Sequence, residues 1–251
     1  PDGLLTEPGR VIGEYTGWAA YLDLSYQFSD RFDASLGIRY TNDDKDFTIN
    51  VPEPESLLGG YWAYIFTTDG DIRTSKSWSD TTVRLVGRWH VSDSSMVYAS
   101  YTEGYKSGGF GSFSLVDVDG VQVGCCETDL SEADGYRSRQ FEPESVDSYE
   151  IGTKNTLAGG AMQLNATGFF YNYEGYQISA IVNRTSANFN VDAEIKGLEL
   201  ETIWNPASTF VVNANLGLLD AQVVDTWGVD VLDRTNGRSD LVVLKNFADA
   251  S

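Results

Sequence analysis

Apolar and polar residues alternate with a period of two over much of this chain. Trp18, Ala20, Leu22, Leu24, Tyr26 and Phe28 share one parity, and Tyr21, Asp23, Ser25 and Gln27 the other. That period places the two sets on opposite sides of an extended strand. Ser29-Asp30-Arg31 then supplies a turn, and Phe32, Ala34, Leu36, Ile38 and Tyr40 alternate with Asp33, Ser35, Gly37 and Arg39. The hairpin plan recurs three times. Residues 83–89 and 97–102 flank Ser92-Asp93-Ser94, 149–154 and 162–168 flank Ala158-Gly159-Gly160, and 198–204 and 210–218 flank Asn205-Pro206-Ala207. Eight strands in four hairpins are expected. Each is about 10 residues or longer, enough to cross a bilayer at a tilt, whereas strands of soluble domains average about 5–6.

The connections fall into two classes. Every second one is short, and the others are expected to be long loops at about 41–77, 106–146, 177–192 and from 221 onward. Short turns on one side and long loops on the other are the plan of an antiparallel transmembrane β-barrel. Phe28 and Phe32, Trp89, and Trp204 and Phe210 flank three of the four short turns, as an aromatic girdle at one membrane interface would. Leu22, Leu24, Leu36, Ile38, Leu85, Leu164, Val212 and Leu216 are then expected to face lipid. Asp23, Gln27, Arg39, Arg84, Asn165, Glu199 and Asn213 are expected on the concave, lumenal side.

Composition narrows the class. Aromatic residues make up 13%, with 25 Gly and only 6 Pro, which suits strands and turns. The net charge of −20 repels a nucleic-acid backbone, so no nucleic-acid partner is expected. There is no apolar run of about 18 residues and hence no transmembrane helix. The start, Pro1-Asp2-Gly3, carries no basic, apolar leader, so a processed or truncated N-terminus is expected.

Several runs resemble TonB-dependent outer-membrane receptors. They are Gly104-Tyr105-Lys106-Ser107-Gly108-Gly109-Phe110 at the outer end of a strand, 141–154 from Phe141-Glu142-Pro143-Glu144 onward, Phe169-Phe170-Tyr171-Asn172-Tyr173, and Ala193-Glu194-Ile195-Lys196-Gly197-Leu198-Glu199. With Gly37-Ile38-Arg39-Tyr40-Thr41 they cover most of residues 15–220 in the family's order. The resemblance implies a 22-stranded barrel with a plugged lumen, of which residues 1–251 would be an internal part, with the plug domain, TonB box and C-terminal strands absent. It implies energy-coupled uptake of a scarce nutrient, with a ferric siderophore as the leading substrate. The setting would be the outer membrane of a Gram-negative bacterium, and the partners lipid, lipopolysaccharide and the TonB complex acting through a plug. A closed eight-stranded barrel with a structural or adhesive role, and a soluble acidic β-sheet binding module, are the alternatives.

The candidate chemistry is sparse. No catalytic triad, metal spacing or phosphate loop is recognisable, so no enzyme, metal or cofactor is expected; the single histidine, His90, is placed in a short turn. Arg39, Arg84 and Arg88 are expected in the lumen, pairing either with a plug or with Glu150, Glu199 or Glu201. An anionic ferric chelate would need cationic and aromatic partners, and Tyr105, Lys106, Phe110, Arg137 and Arg139 are the candidates for them. The competing reading is that residues 105–110 shape the strand exit, the glycines allowing a sharp turn. Most acidic residues of the long loops, among them Asp43, Asp44 and Asp46, are read as solvated loop surface. Cys125 and Cys126 are adjacent; a strained vicinal disulfide and a partner elsewhere both remain open.

Overall fold

The computed structural model describes residues 8–54, 66–124, 127–182, 185–224, 227–229 and 244–246. Its strands in chain order are β1 (Arg10–Ser29), β2 (Phe32–Asn50), β3 (Phe66–Thr68), β4 (Ile72–Ser92), β5 (Ser95–Lys106), β6 (Gly109–Val116), β7 (Glu127–Leu130), β8 (Arg137–Phe141), β9 (Glu144–Leu157), β10 (Met162–Val182), β11 (Thr185–Ala207), β12 (Phe210–Val224), β13 (Trp227–Val229) and β14 (Leu244–Asn246). Eight of them form one sheet in the order β1-β2-β4-β5-β9-β10-β11-β12, every pair antiparallel. This is the expected meander. Among the described residues β1 and β12 each pair on one side only, so these eight strands do not close into a small barrel of their own.

The register aligns the two predicted faces across the sheet. Tyr26, Ala34, Gly87, Ala99, Ile151, Gly168, Leu198 and Leu218 are successive partners, one from each strand. The next row on the opposite side reads Gln27, Asp33, Arg88, Tyr98, Gly152, Thr167, Glu199 and Gly217. One side of the wall is thus apolar and the other largely polar. The apolar side is uncovered: Leu22, Leu24, Leu36, Ile38, Leu85 and Leu216 are exposed, and Leu164 and Val212 half-exposed. A soluble sheet would bury such a face. Here the missing cover is lipid.

Two girdles bound the apolar band. Phe28 and Phe32 meet at 5.4 Å beside the first short turn, with Trp89 paired to Phe32. At the far side Trp18 meets Tyr40 at 5.3 Å, and Tyr149 contacts both Tyr101 (5.1 Å) and Phe170 (6.4 Å). This second girdle was not read from the sequence. From Phe28 to Trp18, ten residues at about 3.4 Å each and tilted about 40° rise about 26 Å, which matches the apolar height of a bacterial barrel.

Two expectations need correction. The long loops are shorter than expected because the strands run on past the band: β2 to Asn50, β4 from Ile72, and β10 and β11 through most of 177–192. Asp43, Asp44 and Asp46 therefore lie in β2, and Asp44 and Asp46 accept hydrogen bonds from Ser77 and Ser75 of β4. The fourth short turn is not at 205–207. A register shift between Trp204 and Ala207 carries β11 onward, with Asn205 N–H bonded to the Ala161 carbonyl (2.8 Å), and the turn forms at Ser208 and Thr209.

Leu24 sits midway between the girdles on the lipid side. Leu24→Arg is expected to destabilise the full-length protein by about 2–4 kcal/mol in a bilayer. Arg at Ser25, one residue along and on the polar side, should cost far less. Chemical unfolding from lipid vesicles gives both values, and equal losses would refute the facing.

Candidate functional site

Beyond the outer girdle the alternation changes phase. Within the band the apolar residues of β2 are even-numbered, from Phe32 to Tyr40. Further out the buried ones are odd: Phe47, Ile49 and then Val51. In β4 the odd residues Val83, Leu85 and Trp89 face lipid, while Ile72, Thr74 and Trp78 are buried. In β11 the switch is from even Leu198 and Leu200 to odd Val191, 3% exposed. The apolar side therefore crosses from the lipid face to the polar face at the level where lipid ends.

A folded cap covers that inverted face. Phe47, Ile49, Val51, Phe66, Ile72, Trp78, Phe110, Leu115, Val123 and Leu130 form one buried cluster, with Val11, Tyr105 and Tyr136 packed against it. Phe110 stacks on Phe47 at 5.4 Å and meets Trp78 edge-on at 5.7 Å. The cap arises because β4 and β5 part company. Their pairing stops at Arg84 and Thr102, and the Glu103 carboxylate fills the fork, accepting from Val83 N–H (2.9 Å) and Tyr101 OH (2.6 Å). The β5–β9 pair then breaks and resumes as β6–β8, with Gly109 opposite Phe141. That hairpin packs on β2 and β4 at one side and β11 at the other.

The break is fixed by close approach and by three polar anchors. A Cβ on Gly108 would strike the Phe141 carbonyl and come within 2.7 Å of the Trp78 ring; one on Gly109 would come within 2.5 Å of the Phe141 ring. Neither glycine has positive φ, so they serve close packing rather than the sharp turn expected. Lys45 Nζ donates to the Gly108 carbonyl (2.6 Å) and lies over the Tyr15 and Trp78 rings; burial holds its pKa below the usual lysine value. Gln177 Nε2 donates to the Ser107 and Glu142 carbonyls at 3.0 and 3.1 Å. Asn190 Nδ2 donates to the carbonyls of Glu142 (2.8 Å) and Gly175 (2.7 Å), while its Oδ1 accepts from Glu142 N–H (2.9 Å). Lys45, Trp78, Gln177 and Asn190 are not among the residues expected from the sequence. The phase change was the signal that could have found Trp78.

The five candidate ligand residues do not form one group. Phe110 is 7% exposed and part of the cap core, so it presents no face to a ligand. Tyr105 packs against that core, and burial, followed by the charges of Asp43 and Asp80, pushes its pKa up to about 12. Lys106 is paired with Glu144 at 3.4 Å. Arg137 and Arg139 are together, two residues apart on β8, bordering a cavity of about 310 Å³.

Arg39, Arg84 and Arg88 lie on the polar side, but not against Glu150, Glu199 or Glu201. Arg88 Nη1 pairs with Asp33 (2.8 Å), which also accepts from His90 (3.1 Å). Arg84 reaches Asp23 at 4.0 Å across Gly37, and Arg39 Nε donates to Thr41 (3.1 Å). His90 is in β4 rather than a turn. Cys125 and Cys126 lie outside the described residues. Among the described residues no group of three His, Cys, Asp or Glu is placed to hold a metal.

Comparison with known proteins now decides the family. Residues 7–241 match the family described as TonB dependent receptor-like, beta-barrel. The chain belongs to this family. The pesticin receptors of Yersinia enterocolitica and Yersinia pestis are 26% identical to it over 202 residues, 79% of this chain but 25% of theirs. The chain thus spans about a quarter of the length of these curated relatives. Among solved structures, the ferric yersiniabactin uptake receptor FyuA from Yersinia pestis aligns with TM-score 0.63 at 20% identity, over 86% of this chain and 28% of that one. The siderophore receptor PiuA from Acinetobacter baumannii aligns with TM-score 0.61 at 13% identity, over 95% and 28%. The ferric-catecholate import receptor Fiu from E. coli K12 gives 0.60 at 17%, over 87% and 29%. TonB-dependent receptors are Gram-negative outer-membrane proteins, which accounts for the uncovered apolar band.

Phe110→Ala is expected to loosen the cap by about 3–5 kcal/mol, the usual cost of emptying an aromatic core position. Amide exchange should rise across 109–141 and remain slow in β1 and β12; uniform acceleration would show that the cap is not a separate packing unit. Asp71 gives a second check. It accepts from Arg10 (2.6 Å), Asn50 (2.8 Å) and Arg73 (3.4 Å). The Asn50 hydrogen bond first, then Arg10, holds its pKa below 3.8. The folded pKa is the lower one, so its contribution is present above the unfolded value and is lost as pH falls through the folded value. Asp71→Asn should remove the acid-induced rise in exchange at 48–51; an unchanged rise would assign it to another carboxylate.

Proposed function

We propose that this chain is a wall segment of a plugged, 22-stranded TonB-dependent receptor that imports a ferric siderophore. Further strands continue the barrel from both β1 and β12, and the polar side lines the lumen. The observation that carries the reading is the combination of a lipid-height apolar band with a rigid cap above its lumenal side. A structural or adhesive wall needs the band alone. A cap folded over the mouth adds a shaped, water-facing surface where a ligand can be selected. The siderophore and yersiniabactin receptors among the structural neighbours support this substrate class. On this reading lipid and lipopolysaccharide contact the band, a plug contacts Arg39 and its neighbours, and the TonB complex acts on the plug. The barrel makes and breaks no covalent bond.

The test is radio-iron uptake by the full-length receptor in a strain lacking its own siderophore receptors. Uptake of a ferric siderophore is expected, and loss of TonB or an uncoupler should reduce it to background. Uptake that persists without TonB would replace active import by passive diffusion. Failure to take up any ferric chelate would overturn the substrate class.

A further inference from the structure

Cations are scarce in this chain, 17 Lys and Arg against 37 Asp and Glu, and half of those described are neutralised locally. Arg10 and Arg73 pair with Asp71, Lys76 with Glu142, Arg84 with Asp23, Arg88 with Asp33, Lys106 with Glu144 and Lys196 with Asp220. Arg137 and Arg139 are two unpaired cations that stand side by side. Among the described residues neither has a carboxylate within ion-pair distance. Two residues apart on one strand, they project to the same side of it. They border one cavity of about 310 Å³, which also has Gln122 and Ser138 in its wall. The side chain of Ser138, between them, is turned to the opposite side of the strand and is fully buried.

Arg139 is held in place before any ligand arrives. Gln122 Oε1 accepts from Arg139 Nη1 at 2.6 Å, and the Arg139 guanidinium lies 5.9 Å from the centre of the Phe189 ring of β11. Ser138 N–H is bonded to Thr74 Oγ1 of β4 (2.9 Å), which ties β8 to the wall. Fixed donors of this kind bind with little ordering cost. Two guanidinium forks match planar oxygen anions, which take up parallel hydrogen bonds from them. The volume is at the lower end of small-molecule pockets, about 300–1,000 Å³, and so suits one arm of a chelate rather than the whole.

We infer that Arg137 and Arg139 form a subsite for one anionic arm, carboxylate or catecholate, of the transported ligand. Gln122 and Phe189 act as positioning residues. The inference rests on the uptake reading above and specifies the ligand's charge. The cap lies on the side of the wall opposite the lipid face, which places the subsite on the ligand's path rather than among lipid headgroups.

The experiment uses the full-length receptor in outer membranes, with Arg137→Ala/Arg139→Ala and Arg137→Lys/Arg139→Lys double variants at matched surface level. Three probes are compared: a ferric tris-catecholate, ferric citrate, and an uncharged ferric trihydroxamate. The parent should bind an anionic chelate, and the alanine pair should weaken that binding by at least about tenfold. The lysine pair should recover part of it, and the salt dependence of binding should flatten in the alanine pair. Parental affinity for the anionic chelate in the alanine pair would remove these arginines from the site while leaving uptake intact. A parent that binds only the uncharged chelate would overturn the anionic arm alone. A parent that binds none of the three would overturn the proposed substrate class together with the subsite.

Discussion

Contact with lipid on one side only is the constraint on which the rest of the structure depends. Hydrocarbon offers no partner to a backbone N–H or C=O, so each strand must satisfy its neighbours completely through the band. The unbroken registers from Tyr26 to Leu218 do this. Because side chains alternate, lipid on one side also sets the parity of every strand: a slip of one residue would turn Leu24, Leu36 and Leu85 away from lipid and Asp23, Gly37 and Arg84 into it. The Asp23–Arg84 contact across Gly37 and the Arg88–Asp33 pair are affordable only on the wet side.

Where lipid ends, that constraint ends, and a different burial takes over. The strands continue for ten or more further residues, β2 from Tyr40 to Asn50 and β10 from Phe170 to Val182, because their inner side acquires a cap to pack against. The outer side, now in water, carries Asn42, Asp44 and Asp46 on β2 and Ser75, Ser77 and Ser79 on β4. The parity switch therefore records the outer membrane boundary in the sequence itself. Breaking the β5–β9 pair is the cost of the cap. Glu103 meets one freed N–H at the fork, and Lys45, Gln177 and Asn190 meet carbonyls around the break.

Strand identity, pairing order and the lipid-facing set were legible because one periodic signal carries them all. The cap was not, since its strands show two short alternations of opposite phase, each weaker than the long ones in the band. Asn205-Pro206 was a strong local turn signal, but a register shift at Trp204 absorbed those residues into β11. The arginine partners were misjudged for a geometric reason. Glu199 and Glu201 share the polar face but lie four strands from β4, and Glu150 falls in the register row of Val86 rather than of an arginine, whereas Asp23 reaches Arg84 because Gly37 between them has no side chain. Arg137 and Arg139 were nameable from charge alone. Their separation from Phe110, Tyr105 and Lys106 needed the fold.

Core packing and cavity lining fall to different residues of the cap. None of Gln122, Arg137 and Arg139 belongs to its buried cluster, although each is flanked by or close in sequence to a buried residue: Val123 beside Gln122, and Ser138 between the two arginines. Alternation again makes this possible. One side of β8 packs toward the wall, and the other borders the cavity. A substitution on the cavity side leaves Phe47, Trp78 and Phe110 in contact, so the scaffold does not resist it. A substitution on the wall side alters that packing. The lipid band enforces its parity through a solvent, whereas in the cap the same alternation separates a packed side from a water-facing one.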